Sequence, residues 1–173
     1  MPTFEETVVE LFHQRFPPVF RYLDRLTGDP DLAADLAQEA FVRLYQRGEL
    51  PDDPAAWLVT VATNLLRDTR RKEQRRAALA TTYATDVQLS SDVTTADGLL
   101  AEESRSQVRE ALDALPLRDR QLLLLRHEGY SYRELARAVG VAEGSVGTLL
   151  LRATRAFQTA FTKRSDVQTT TPD

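Results

Sequence analysis

Apolar positions recur at helical spacing through nearly the whole chain outside residues 77–103. Phe4, Val8, Leu11 and Phe12 form a first stripe, which the Pro17–Pro18 pair is expected to interrupt. Val19, Phe20, Leu23 and Leu26 form a second, closed by Gly28. A third helix opens at Pro30 and Asp31 and runs to about Arg47, with Ala33, Leu36, Ala37, Ala40, Phe41 and Leu44 on its apolar face. After the polar segment RGELPDDPA, Asp53 is placed to cap a fourth helix with Pro54 in its first position. Trp57, Leu58, Val61, Ala62 and Leu65 there face one way, and Trp57 reads more readily as core than as a stacking platform. Helix returns near Leu99 or Leu100, with Val108, Ala111, Leu112 and Leu115 aligned. Pro116 starts another, whose Leu122–Leu125 run is expected to be mostly buried and to end by Gly129. Beyond Phe161 the polar tail is expected to fray. The pattern predicts an all-α fold, with two small helical domains joined by a flexible acidic linker.

The stretch Ser131–Arg155 carries a more specific signal. Ser131 and Glu134 make an S-x-x-E capping box, which satisfies orphan N–H groups at a helix start. Leu135, Ala136 and Val139 give that helix an apolar face, and Gly140 can end it in the left-handed conformation. Val146, Leu149 and Leu150 resume the period after a short turn. This is the pattern of a helix-turn-helix, whose second helix enters the DNA major groove. An ordinary helical hairpin would share the capping box and the Gly turn, but not the ordered apolar series.

Charge sharpens that reading. The net charge of −4 divides into blocks: −6 over residues 1–66, +4 over 67–76, −5 over 77–103 and +5 over 104–165. Two basic blocks can meet phosphate, while the acidic front and linker would be repelled by it. Absence of cysteine excludes disulfides and thiolate metal sites. His13 and His127 are far apart and read as surface residues. No catalytic nucleophile–base set, metal cluster or cofactor-binding loop is visible. No apolar run approaches membrane-spanning length, and the acidic amphipathic start is unlike a signal peptide, so a cytoplasmic location is expected.

Two further constellations stand out. Asp35, Gln38, Glu39 and Val42 fall at i, i+3, i+4 and i+7 on the third helix, opposite much of its apolar face. They make either a solvated face or a docking strip for a basic partner helix. The fourth helix ends in RDTRRKEQRR, where six cations in ten residues exceed what the helix dipole asks for. Phosphate contact is the better reading. The polar loop Gly48–Asp53 before it is of the sort that can hold an unstacked base.

Taken together, D-L-x-Q-E-x-F at Asp35–Phe41, A-W-L at Ala56–Leu58, Asn64, Asp68 and Arg70–Arg71 resemble region 2 of the extracytoplasmic-function (ECF) sigma factors of the sigma-70 family. L-x-x-L-P at Leu112–Pro116, the L-L-R-x-E-G-Y-S-Y-R-E-L-A run and G-S-V resemble region 4 of the same family. The resemblance implies region 2 over 1–76, an acidic linker over 77–103, region 4 over 104–162 and a flexible tail over 163–173. It implies a non-enzymatic subunit that directs core RNA polymerase to promoters. Asp35, Gln38, Glu39 and Arg43 would dock on the clamp coiled coil of β′, and region 4 would sit on the β flap. Asn64, Arg67, Arg70, Arg71, Lys72, Arg75 and Arg76 would engage the −10 element and help open it. Tyr132, Arg133, Glu143, Gly144, Ser145, Thr148, Arg152 and Arg155 would meet the −35 element. No metal or other cofactor and no membrane insertion are implied, and an anti-sigma factor is an implied partner. Where many members carry Lys and Arg after the G-S-V, this chain has Gly147 and Leu149, and Thr154 replaces the second Arg of R-A-R. A weaker −35 grip is therefore expected. The rival readings are a stand-alone helix-turn-helix regulator and a sigma-like interaction protein without promoter activity.

Overall fold

The computed structural model describes residues 1–80 and 96–169. Among these residues there are seven helices and no strand: α1 (Phe4–Thr27), α2 (Pro30–Arg47), α3 (Pro54–Leu79), α4 (Ala96–Asp113), α5 (Leu117–His127), α6 (Tyr132–Val139) and α7 (Glu143–Thr169). The Thr- and Ser-rich part of the expected linker, residues 81–95, and residues 170–173 of the expected tail lie outside the described residues. Three expected boundaries differ. Residues 77–79 complete α3, α4 begins at Ala96 rather than near Leu99 or Leu100, and α7 continues past Phe161 to Thr169. Weak apolar periodicity at those ends hides the helix from a pattern reading.

The first half packs α1, α2 and α3 on one another. Its helix starts are set locally. Thr3 and Glu6 form a capping box on α1, Asp29 caps α2, and Asp53 caps α3 by accepting from the Ala56 amide at 3.1 Å. Such caps typically contribute ~1 kcal/mol each. α1 corrects the expectation of a break, because Pro17 and Pro18 lie inside one continuous helix. Each proline removes a backbone donor, and one in a helix interior costs ~3 kcal/mol. Packing on both sides offsets this. Phe12, Phe16 and Phe20 stack along the helix across the pair, with centroids 4.8 and 6.2 Å apart, and Phe12 meets Phe41 of α2 edge-on at 5.0 Å. Val8 before the prolines and Val19, Tyr22, Leu23 and Leu26 after them are buried.

The second half packs α4, α5 and α6 against α7. The Ser131–Glu134 box caps α6 as expected, with the Glu134 amide donating to Ser131 Oγ and the Ser131 amide to Glu134 Oε2. Gly140 ends it at φ 72°, a conformation that glycine adopts without steric cost. Leu122, Leu124, Leu125, Leu135, Ala136, Val146, Leu150 and Ala153 are buried.

The two halves also meet, α3 against α6 and α1 against α5, and one buried apolar cluster runs through both. At the seam, Glu128 lies between two arginines of α1. Its Oε2 accepts from Arg21 Nε at 2.9 Å and lies 2.8 Å from Arg21 Nη2, and its Oε1 pairs with Arg25 Nη1. Arg137 of α6 reaches Asp53, the α3 cap, at 3.5 Å. Tyr22 is fully buried, and its hydroxyl shares a 3.0 Å hydrogen bond with that of Thr63 on α3.

Candidate nucleic-acid interface

α2 turns its Ala- and Leu-rich face to the core, and by helical geometry this leaves Asp35, Gln38, Glu39, Val42 and Arg43 exposed. Glu39 accepts from Arg43 Nε at 3.0 Å, a surface i,i+4 pair. Asp35 and Gln38 stand on the same strip, and Val42 is 46 % exposed. The strip is thus an acidic and aliphatic surface that the fold leaves at the water boundary.

α3 divides its cations. Arg67, Arg71, Lys72, Arg75 and Arg76 are exposed, as is Asn64, which accepts from Arg67 Nη1 at 3.5 Å. Arg70 is different: it is half-buried and donates to the Leu26 carbonyl at 3.3 Å. It lines a 270 Å³ cleft with Thr63, Leu66, Arg67, Arg71, Gln74 and, from α5, Leu117 and Gln121. Burial pushes the Tyr22 phenol up to about 12, although hydrogen bonds to Thr63 and Gln121 and the charges of Arg70 and Arg67 pull the other way. At the other end of α3, a 540 Å³ cleft lies beside the Gly48–Asp53 loop. It is lined by Arg47, Glu49–Asp53, Ala56, Trp57 and Thr60, together with Arg137 of α6. Trp57 is half-buried, so it packs on the core and also faces this cleft.

α6 and α7 are joined by a three-residue turn, the length a helix-turn-helix uses. Glu143, Gly144, Ser145, Thr148, Arg152 and Arg155 are exposed on α7, while Val146, Leu150 and Ala153 are buried. Tyr132 and Arg133 open α6 and are exposed, with Arg126 5.3 Å from the Tyr132 ring centre. Gly147 lies beneath Tyr132, so a Cβ there would stand 3.6 Å from the ring edge. Arg152 is partly tethered, 3.6 Å from the buried carboxylate of Asp119. Among the described residues no cluster of His, Asp and Glu is arranged to hold a metal, and no helix is long and apolar enough to cross a membrane.

Residues 11–76 match the family described as Sigma-70 region 2, and residues 105–157 match Sigma-70, region 4. The chain is 33% identical over 153 residues to the ECF RNA polymerase sigma factor SigL of Mycobacterium tuberculosis, covering 86% of this chain and 85% of SigL. It belongs to the ECF RNA polymerase sigma factors. BldN of Streptomyces coelicolor is 32% identical across 84% of this chain and 56% of its own, and EcfG of Rhodopseudomonas palustris 33% identical across 79% and 75%. Among solved structures, the sigma factor RpoE of Bartonella quintana, crystallised with the anti-sigma factor NepR, shares the fold. Its TM-score is 0.66 at 19% identity, over 90% of this chain and 97% of that one.

The region 2 match falls within α1–α3 and the region 4 match within α4–α7. Sequence reasoning located the exposed strip of α2, the basic end of α3 and the helix-turn-helix. It missed Arg21, Arg25, Glu128 and Arg137, which join the regions. Arg21 and Glu128 are 107 residues apart in sequence. No local period or motif links such a pair.

Proposed function

We propose that this ECF sigma factor is a non-catalytic, cytoplasmic subunit that binds core RNA polymerase and carries it to promoters. Asp35, Gln38 and Glu39, steadied by Arg43, dock on the β′ clamp coiled coil, where Arg side chains of a basic helix can pair with the carboxylates. The exposed Arg71, Lys72, Arg75 and Arg76, with Asn64 and Arg67, engage the −10 element. The cleft of Trp57 and the Gly48–Asp53 loop has the size to take an unstacked base. Arg70 joins this surface once its contact to Leu26 is released. Tyr132, Arg133 and the outer face of α7 from Glu143 to Arg155 meet the −35 element, while region 4 rests on the β flap. An anti-sigma factor is a fitting partner, since the solved neighbour is held by one.

The observation that carries this reading is the pairing of two family regions, in order, with surfaces that each half leaves exposed and that differ in charge. A stand-alone regulator has no use for the acidic strip on α2. Run-off transcription with purified core polymerase on genomic DNA tests it. Promoter-specific transcripts that need this protein are expected. Their absence, with core polymerase shown to be active with another sigma factor, overturns the reading.

A further inference from the structure

Only five basic residues occur in the first 66, against eleven acidic ones, and two of the five converge on a single carboxylate. Arg21 presents Nε and Nη2 to Glu128 Oε2, while Arg25 takes Oε1. The Glu128 side chain is 4% exposed, whereas those of Arg21 and Arg25 are 50% and 40% exposed. Each carboxylate oxygen thus has its own guanidinium, the two-cation arrangement that a phosphate could also satisfy. The pair is linked to α3 through its neighbours on α1. Tyr22, between the two arginines in sequence, has a hydroxyl that lies within the field of Arg70 and Arg67. Arg70 itself reaches Leu26, one residue beyond Arg25 on α1.

The seam that holds Glu128 in place is imperfectly matched. The Tyr130 hydroxyl is buried with no hydrogen-bond partner, and Arg137 meets Asp53 only at 3.5 Å. A buried hydroxyl left unpaired weakens the contact that buries it. The same seam carries Arg137 over the rim of the Trp57 cleft. Two DNA elements about 25 base pairs apart lie ~85 Å apart at ~3.4 Å per pair. A compact chain of this length has a radius of gyration of about 16 Å. Region 2 and region 4 must therefore part before both elements can be held.

We propose that Arg21 and Arg25 form a binding site for the DNA backbone that continues the basic end of α3 across α1, and that Glu128 occupies it in place of a phosphate while the chain is closed. Opening then releases two cations at the moment region 4 leaves region 2. The acidic front of the chain gains a phosphate contact that its overall charge conceals. This rests on the promoter-binding role above and adds residues to it.

The test uses the full chain, E128Q, and E128Q combined with R21Q and R25Q. Binding to a short fluorescein-labelled oligothymidylate is followed by anisotropy across KCl concentration, and compactness by small-angle scattering. E128Q is expected to expand and to bind more tightly. Two added phosphate contacts on a single strand steepen the log–log salt slope by about 1.4, which corresponds to about twenty-five-fold at 0.1 M relative to 1 M salt. Adding R21Q and R25Q is expected to remove that gain while the chain stays expanded. An expanded E128Q with no gain overturns the proposal, as does a gain that survives R21Q and R25Q. An E128Q chain unchanged in both size and binding overturns it too. Run-off transcription by the wild-type chain, done alongside, separates the two readings: transcripts without an E128Q gain sink this site alone, and the converse sinks the promoter role alone.

Discussion

Tyr22 is fully buried between α3 and α5, hydrogen-bonded to Thr63, and burial raises its phenol to about 12 from the ordinary 10.0. The fold therefore favours the neutral phenol. Its contribution to stability is fully present below about pH 10 and is lost as pH rises toward about 12. Replacing Tyr22 with Phe is expected to cost about 1 kcal/mol at neutral pH through the unpaired Thr63 hydroxyl. It is also expected to make the alkaline decline shallower. Urea titrations at stepped pH measure both effects. An alkaline decline as steep as that of the wild type would show that other groups govern it. The nearby Tyr130 phenol is raised too, mainly by burial, so part of the decline remains in the variant. The sequence marked neither tyrosine as a seam residue, because nothing local distinguishes a tyrosine at a seam from one in a helix core.

At the scale of single helices, local chemistry was legible wherever caps and glycines fix the ends. The Asp53 and Ser131 starts and the Gly28 and Gly140 stops follow from residue types within a few positions, whereas the Thr3 and Asp29 caps were seen only in the structure. The continuity of α1 through Pro17 and Pro18 was not legible, because it depends on an aromatic ladder completed by Phe41 of another helix. The recognition helix α7 shows what a glycine does at this scale. Gly147 is helical, and a Cβ there would sit 3.6 Å from the Tyr132 ring, an ordinary contact. Gly147→Ala is expected to raise stability by ~1 kcal/mol through lower unfolded-state freedom and better helix propensity. Thermal or urea unfolding checks this. No gain, or a loss, would show that Tyr132 cannot yield to the added methyl.

Over the whole molecule, the chain separates its surfaces by charge. The α2 strip is acidic, while the exposed end of α3 and the outer face of α7 supply cations. Reversing Asp35 and Glu39 together to Lys is expected to abolish co-purification with core polymerase while leaving the fold and oligonucleotide binding unchanged. Size-exclusion chromatography of the mixed proteins reads the first, and circular dichroism and anisotropy the others. Retained core binding would remove α2 from the proposed contact. The charge blocks that suggest this division were plain in the sequence. The closed packing of the two regions was not, since it is made by contacts such as Arg25–Glu128 that cross 103 residues.

The apolar cluster that passes unbroken from region 2 into region 4 also gives the chain a thermometer. Parting the regions uncovers some of that cluster, so the heat capacity of the open form is the higher of the two. Apolar burial loses strength on cooling, and the penalty for holding a charge such as Glu128 out of water grows. Both changes act in the same direction. Cooling is therefore expected to weaken the seam, so the balance between closed and open chain should shift with temperature even when no partner is present.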